Sequence, residues 1–280
     1  MTQKNNLDFR EKTFEQLDRE VEEAVRRERI GYIARIFVLV LILVCIMPDA
    51  FLYWFRFATP HFPKKYTEEI IDINKAPVQV DIDNQYYGKS FKYKTLENHG
   101  SYSLEKMAVY SVSGLLVDKN YFFWSNYIPN RRNLFSSIAL IDIGLVWQDM
   151  ANKDIRSCIT YVSAKNSYGR ALWPIIKRNN KCYAILDQYS KKLGSYHNVW
   201  NKMSHTHVIP ANASIMHALL FAPKNKPLKM EGYLVDVYVD GKAVVMTSLS
   251  RDDTNKNARG GGACETMYVV KVQVGNKIYE

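Results

Sequence analysis

Two stretches in the C-terminal third of the chain carry side chains that bind metals or act as nucleophiles. His205 and His207 stand one residue apart in SHTHVIPAN, and Cys264 follows a glycine run in RGGGACETM. In an extended segment, residues i and i+2 face the same side, so both imidazoles can reach one metal ion. A zinc site needs a third ligand. The candidates for it are Cys264, Glu265, His217 and His197.

The same residues also suit a thiol hydrolase. Cys264 would be the nucleophile, and His205 or His207 would be its base. Asp252 or Glu265 would orient that base, and the glycines before Cys264 would let backbone N–H groups form an oxyanion hole.

A structural interpretation of these residues competes with both chemistries. In a loop before a helix, His205 and His207 would fix a turn by bonding backbone groups, and Cys264 would be a small buried side chain at the start of a strand. No CxxC, HExxH, P-loop, GxGxxG or GxSxG pattern accompanies them. We therefore assign no catalytic or metal-binding residue from the sequence and expect no cofactor.

A long apolar run near the N-terminus determines the predicted topology. Residues 30–57, IGYIARIFVLVLILVCIMPDAFLYWFRF, are long enough to cross a hydrocarbon core of roughly 30 Å. About thirty polar residues precede the run and no small-x-small site follows it, which disfavours a cleaved signal peptide. Basic residues are denser before the run than after it, so the N-terminus is predicted to be cytoplasmic.

This topology predicts four parts. They are a charged cytoplasmic helix (1–29), a transmembrane helix (30–57), a linker (58–75) and an exported periplasmic domain (76–280) of a bacterial inner-membrane protein.

The net charge of +10 belongs to the predicted exported part. Residues 1–35 contain eight basic and eight acidic residues, so the excess positive charge comes from the rest of the chain. A basic exported domain suits lipid headgroups, an anionic cell-wall polymer or an acidic protein partner. Nucleic acid is not expected as a partner outside the membrane.

Three cysteines lie in the predicted exported part, where disulfides can form. Cys158 and Cys182 flank one Trp-containing segment, and we predict that they pair. That pairing leaves Cys264 as a thiol.

Strand patterns dominate the exported part. Val78–Asp83 alternates apolar and polar residues, and Met107–Val117 is typical of a long strand. Asp240-Gly241 joins two apolar strands by a strong hairpin signal, and MYVVKVQV continues after a Gly-rich loop as a third strand, which ends at the Gly275-Asn276 turn.

Helices are expected at fewer places. Residues 133–150 have the length and apolar density of a buried helix. Ala213–Ala222 is predicted as a short helix entered through Pro210 and capped by Asn212. The class is therefore α+β, with a mainly antiparallel sheet or small barrel that is similar to an OB fold.

Several blocks, taken in order, resemble a family of bacterial single-pass membrane-anchored proteins without an assigned reaction. The family carries D-L-x-L-x-W-x-x-M, H-x-I-P-A and S-L-x-R-x-D-T…G-A-C-E blocks. The matching residues here are Asp142–Met150, His207–Ala211, Ser248–Thr254 and Gly262–Glu265, with a further block at Glu231–Val235. Ile143 replaces the usual Leu, and Asn255–Arg259 is an insertion.

The resemblance implies a single-pass anchor with an exported domain and brings no reaction, cofactor or substrate. From the order of the blocks we expect one buried polar network that holds the domain together. Its members would be Asp142, Trp147, His207, Arg251 and Glu265.

The function predicted from the sequence is that of a structural or binding subunit in an envelope-spanning complex, such as a secretion machine. Its partners would be other membrane or periplasmic proteins, in an oligomer or hetero-complex. The alternatives are an exported thiol- or metal-dependent hydrolase using His205, His207 and Cys264, and a domain that binds cell-wall polymer.

Overall fold

The computed structural model describes residues 62–82, 90–94, 101–121, 138–166, 169–193, 201–250 and 264–280, with scattered residues between 23 and 41. The chain divides into two compact units, Met1–Leu52 and Tyr53–Glu280. The described residues of the first unit are helical. Most of the predicted cytoplasmic helix and membrane span lie outside the described residues. Among those that are described, no helix has the length and apolar character needed to cross a bilayer.

The second unit is built on a large sheet. Its strands, in chain order, are β1 (Lys65–Tyr66), β2 (Val78–Asp81), β3 (Ser90–Lys94), β4 (Ser101–Tyr121), β5 (Ile141–Val146), β8 (Met203–Pro210), β9 (Pro227–Val239), β10 (Lys242–Val245), β11 (Glu265–Val274) and β12 (Lys277–Tyr279). A separate hairpin comprises β6 (Ile159–Asn166) and β7 (Gly169–Ile176). The helices are α1 (Lys153–Ser157), α2 (Asn180–Leu193) and α3 (Ala213–Phe221), and Gln148–Ala151 is a 3-10 turn. The predicted α+β class with a mainly antiparallel sheet is confirmed.

Five strands of this sheet close into a ring. The pairing runs from β4 to β5, β8, β11 and β9, and β9 pairs again with β4. All of these pairs are antiparallel except β8 with β11, which are parallel. At the contact between β9 and β11, a Cβ on Gly232 would overlap the carbonyl oxygen of Tyr268, so only glycine allows this approach.

The main hydrophobic core lies on one face of the ring strands and is covered by α3. Ile141, Ile143 and Leu145 of β5 belong to it, together with Val208 of β8 and Met267 of β11. Because side chains alternate along a strand, the residues between them face the other side of the sheet.

Local turn and cap signals are confirmed. Asp240 and Gly241 have φ values of 49° and 75°, as a type I′ turn between β9 and β10 requires. The side chain of Asn212 accepts a hydrogen bond from the backbone N–H of Ile215, which caps α3.

Two predictions of local structure were wrong. Residues 133–150 do not form one helix, because Ile141–Val146 is the central strand β5 and is buried on both faces. When every side chain of a segment is buried, its sequence is apolar almost throughout. Hydrophobic periodicity then cannot distinguish a strand from a helix. The histidines do not lie in a loop either. They belong to β8, which is buried along its whole length between β5 and β11.

Candidate functional site

The histidine pair faces a carboxylate on the neighbouring strand. In the β5–β8 register, His207 stands opposite Asp142 and His205 stands opposite Gly144. Nδ1 of His207 lies 2.7 Å from Oδ1 of Asp142, and Nε2 of His205 lies 3.5 Å from Oδ2 of the same carboxylate. The two rings pack edge to face with centroids 4.9 Å apart. Oδ1 of Asp142 therefore orients the ring of His207, and Oδ2 of the same carboxylate lies within ion-pair range of His205.

Cys264 reaches the same cluster from the start of β11. Its Sγ lies 3.3 Å from Nδ1 of His205. The thiol is partly exposed, whereas His205, His207 and Asp142 are buried. His205 thus stands between a thiol at Nδ1 and a carboxylate at Nε2. We call these four residues the imidazole cluster.

Backbone bonds hold Cys264 in place. The N–H of Ser248 donates to the carbonyl oxygen of Cys264 at 3.3 Å. The next contact along β11 is the N–H of Thr266, which donates to Oγ1 of Thr247 at 2.9 Å. The buried carboxylate of Asp236 in turn accepts from the N–H of Thr247 at 2.9 Å. This chain of contacts fixes the entry to β11 and therefore the position of the thiol.

The hydroxyl of Thr266 lies beside the cluster. Thr266 is paired with His207 in the β8–β11 register, so both side chains leave the same face of the sheet. Its residue surface is 1% exposed, and Oγ1 has no hydrogen-bond partner among the described residues.

A second polar group lies on the other face of the same strands. Ser204 donates to Oε2 of Glu265 at 3.1 Å, and the hydroxyl of Tyr110 donates to Oε1 at 3.4 Å. The hydroxyls of Ser204 and Thr206 are 2.7 Å apart. We call Tyr110, Ser204, Thr206 and Glu265 the hydroxyl cluster.

A cavity adjoins the hydroxyl cluster. Its volume is about 260 Å³, and its walls include Tyr110, Trp147, Met203 and Glu265. Trp147 is itself buried in the main core. The imidazole cluster does not line this cavity.

The predicted site residues fall into three groups. Cys264, His205 and His207 come together with Asp142. Glu265 and Trp147 lie on the other side of the strands. Among the other candidates, His217 is on α3, stacked on Phe221 with ring centroids 4.6 Å apart, while His197, Arg251 and Asp252 lie outside the described residues.

The sequence analysis placed Asp142 with His207 in one polar network, but it named Asp252 or Glu265, not Asp142, as the carboxylate that would orient a catalytic histidine. The sequence did contain a signal for this role: Asp142 is an acidic residue within an apolar segment, and a buried carboxylate needs a polar partner. The predicted disulfide is confirmed: Cys158 and Cys182 are bonded, and Cys264 lies outside this bond.

Comparison with known proteins adds no relative. No family model, no curated protein and no solved structure matches the chain. The family resemblance of the sequence blocks stays a prediction, and function has to be argued from the site.

Proposed function

We propose that the C-terminal unit is an exported thiol-dependent hydrolase of acyl compounds, anchored to the bacterial inner membrane by the predicted span. The observation that carries this proposal is the position of His205, with Cys264 Sγ at 3.3 Å from Nδ1 and Asp142 Oδ2 at 3.5 Å from Nε2. A nucleophile, a base and a group that orients the base are the three parts of nucleophilic catalysis.

The reaction follows from these three groups. As Sγ of Cys264 bonds to the acyl carbon, its proton passes to Nδ1 of His205, and the carboxylate of Asp142 stabilises the imidazolium. Collapse of the tetrahedral intermediate breaks the bond to the leaving group, which takes the proton from Nδ1. Water then gives a proton to Nδ1 and attacks the thioester. The acid is released and the thiol regains its proton.

The place of the site in the ring also supports the proposal. We infer that the closed ring of five strands, with α3 between its third and fourth strands, is an OB-like barrel. The second and third strands of such a barrel form its ligand face. In chain order these are β5 and β8, which carry Asp142, His205 and His207. The fold itself fixes no reaction, so the side chains carry the argument.

A burst assay with p-nitrophenyl acetate tests the proposal. The full-length chain is used in detergent with Cys45→Ser, so that Cys264 is the one cysteine outside the disulfide. We expect a burst of about one p-nitrophenolate per chain, because the thioester forms before water cleaves it. Cys264→Ala should abolish the burst and His205→Ala should slow it about 100-fold or more.

His217→Ala is the matched control, since this histidine stacks on Phe221 of α3 away from the cluster. A wild-type rate in Cys264→Ala, or a rate equal to that of the denatured chain in every variant, would reject the hydrolase.

A second candidate function, the structural or binding subunit of an envelope complex, is favoured by an apolar surface on β2. Val78, Val80 and Val109 are 56%, 54% and 45% exposed. Val80 pairs with Val109 and Val78 is two residues from Val80, so all three share one face. Exposed apolar patches commonly mark protein contacts.

Affinity purification of the full-length chain from membranes tests this second function. Val78→Ser with Val80→Ser should lose stoichiometric membrane or periplasmic partners that the parent chain retains. Ile175→Ser, at a side chain that is 52% exposed on β7, is the control for a general loss of surface apolarity. Recovery of the parent chain alone would contradict the binding function.

A further inference from the structure

We propose that the imidazole cluster also binds one Zn²⁺ ion through His205, His207 and Cys264, and that the bound ion switches off the thiol. One ligand atom from each of the three residues lies within 4.8 Å of the other two. The metal site stands on this geometry alone, whereas the inhibition rests on the proposed hydrolase function.

The spacing of the cluster is close to that of tetrahedral zinc. With Zn–N near 2.0–2.1 Å and Zn–S near 2.3 Å, the nitrogen and sulfur ligands are about 3.5 Å apart. Cys264 Sγ and His205 Nδ1 are already 3.3 Å apart. Because all three ligand atoms fall within 4.8 Å, the widest pair has to close by about 1 Å.

The orientation of each imidazole determines its coordinating nitrogen. Asp142 faces Nδ1 of His207 and Nε2 of His205. The opposite nitrogens, Nε2 of His207 and Nδ1 of His205, are then the ligands. A carboxylate that accepts from the second nitrogen of a zinc-bound histidine fixes the ring and raises its basicity. Oδ1 of Asp142 does this for His207 at 2.7 Å, and Oδ2 faces Nε2 of His205 at the longer distance of 3.5 Å.

Charge and the fourth position are consistent with a divalent ion. Binding releases the proton of Cys264 to solvent, so one thiolate and the carboxylate of Asp142 balance the two charges of the metal. Three protein ligands leave a fourth position for water. The buried Oγ1 of Thr266, on the same face as His207, offers an acceptor for that water.

The ligand types select a borderline-soft metal. Imidazole with thiolate suits Zn²⁺, whereas Mg²⁺ and Ca²⁺ prefer oxygen ligands. A thiolate bound to zinc does not attack an acyl carbon as the uncoordinated group does, so metal and substrate compete for Cys264. The site is therefore active without the ion and is inhibited by it.

Zinc titration of the full-length Cys45→Ser chain, against a chromogenic chelator, tests the metal site. We expect one Zn²⁺ per chain, with one proton released on binding. Asp142→Asn should weaken binding about 10- to 100-fold, and His207→Ala should weaken it at least as much. His217→Ala should bind as the parent does. Absence of saturable binding near one ion per chain would overturn the site, as would parental affinity in His207→Ala.

A second measurement needs no variant of the cluster, so it stands even if such a variant fails to fold. Zn²⁺ should slow alkylation of Cys264 by iodoacetamide more than about tenfold, and EDTA should restore the rate. An unchanged rate in saturating Zn²⁺ would overturn the proposal.

The two proposals fail separately. A p-nitrophenyl acetate burst in the metal-free chain without zinc binding rejects the metal site and keeps the hydrolase. Zinc binding and protection of Cys264 without any burst reject the hydrolase and keep the site.

Discussion

The two faces of strand β8 hold polar side chains of different chemistry. On one face, the hydroxyls of Ser204 and Tyr110 donate to the carboxylate of Glu265. On the other, His205 and His207 meet a thiol and the carboxylate of Asp142. Apart from the partly exposed Cys264, the members of both groups are buried, where polar atoms need hydrogen-bond partners.

This contrast between the two clusters indicates which face of the sheet can carry a reaction. The hydroxyls of Ser204 and Tyr110 donate to a carboxylate, which is a weaker base than an imidazole, and no thiol lies beside them in this cluster. The imidazole cluster holds a thiol beside a base, and the thiol is the partly exposed member of the cluster. We therefore propose that the hydroxyl cluster stabilises the fold and that the imidazole cluster carries the reaction.

Among changes that leave the thiol and the base in place, the largest expected effect comes from Asp142→Asn. The amide keeps the size of the carboxylate but does not stabilise the imidazolium of His205, so acyl transfer to Cys264 should slow about 10²- to 10⁴-fold. The measurement is the burst rate with p-nitrophenyl acetate, with Tyr110→Phe as a matched change on the opposite face. Equal burst rates in the two variants would contradict the proposal that only the imidazole cluster takes part in acyl transfer.

Loss of the disulfide should lower stability and spare the chemistry. Cys158 and Cys182 are 24 residues apart, and bridges that close loops of this size stabilise a fold by about 3 kcal/mol. The variant Cys158→Ala with Cys182→Ala should therefore unfold at lower denaturant concentration, with the burst rate of Cys264 unchanged. A large loss of burst rate in the still-folded variant would show that the site depends on this bridge.

Local signals predicted much of this fold. Asp240-Gly241 needs positive φ at both positions, and Asn212 caps the helix that follows it, so neighbours in sequence determine both features. The pairing of Cys158 with Cys182 also spans a short stretch.

The candidate site was harder to predict because closure of the ring creates it. Asp142 and His207 are 65 residues apart and meet only because β5 pairs with β8. The order of the sequence blocks led us to expect Asp142 and His207 in one network, but no local pattern encodes the strand pairing that joins them. The helix predicted after SHTHVIP favoured a loop for the histidines, since nothing in the sequence shows that partners on two neighbouring strands bond to those side chains.

Tyr110→Phe measures what the hydroxyl cluster contributes. The change removes one donor to Glu265, at 3.4 Å, and keeps the ring that packs in the core. Unfolding free energy should fall by about 1 kcal/mol, the usual value for one hydrogen bond. Chemical denaturation gives this number. A burst rate that falls in step with stability would contradict the separation of the two faces.

The smallest effect is expected from an ionic group away from both clusters. Burial raises the pKa of Glu231, but hydrogen bonds and charge from Lys229 and Lys271 outweigh it and lower that pKa from its ordinary 4.5. Because its pKa is lower in the folded than in the unfolded chain, ionised Glu231 stabilises the fold. This stabilisation is complete above the pKa of the unfolded chain and is lost as pH falls through the pKa of the folded chain. Because the side chain of Glu231 is only partly exposed but water still screens its charge, the loss should be about 0.2–1 kcal/mol.

Denaturation of the parent chain and of Glu231→Gln, from roughly pH 6 to pH 3, measures this loss. The pair isolates Glu231 because both chains share every other carboxylate. The difference between the two curves should shrink as pH falls and should also shrink in high salt, which screens exposed charges. A difference that grows on acidification would reverse the sign. It would show that burial, which raises the pKa of Glu231, outweighs the two lysines, which lower it.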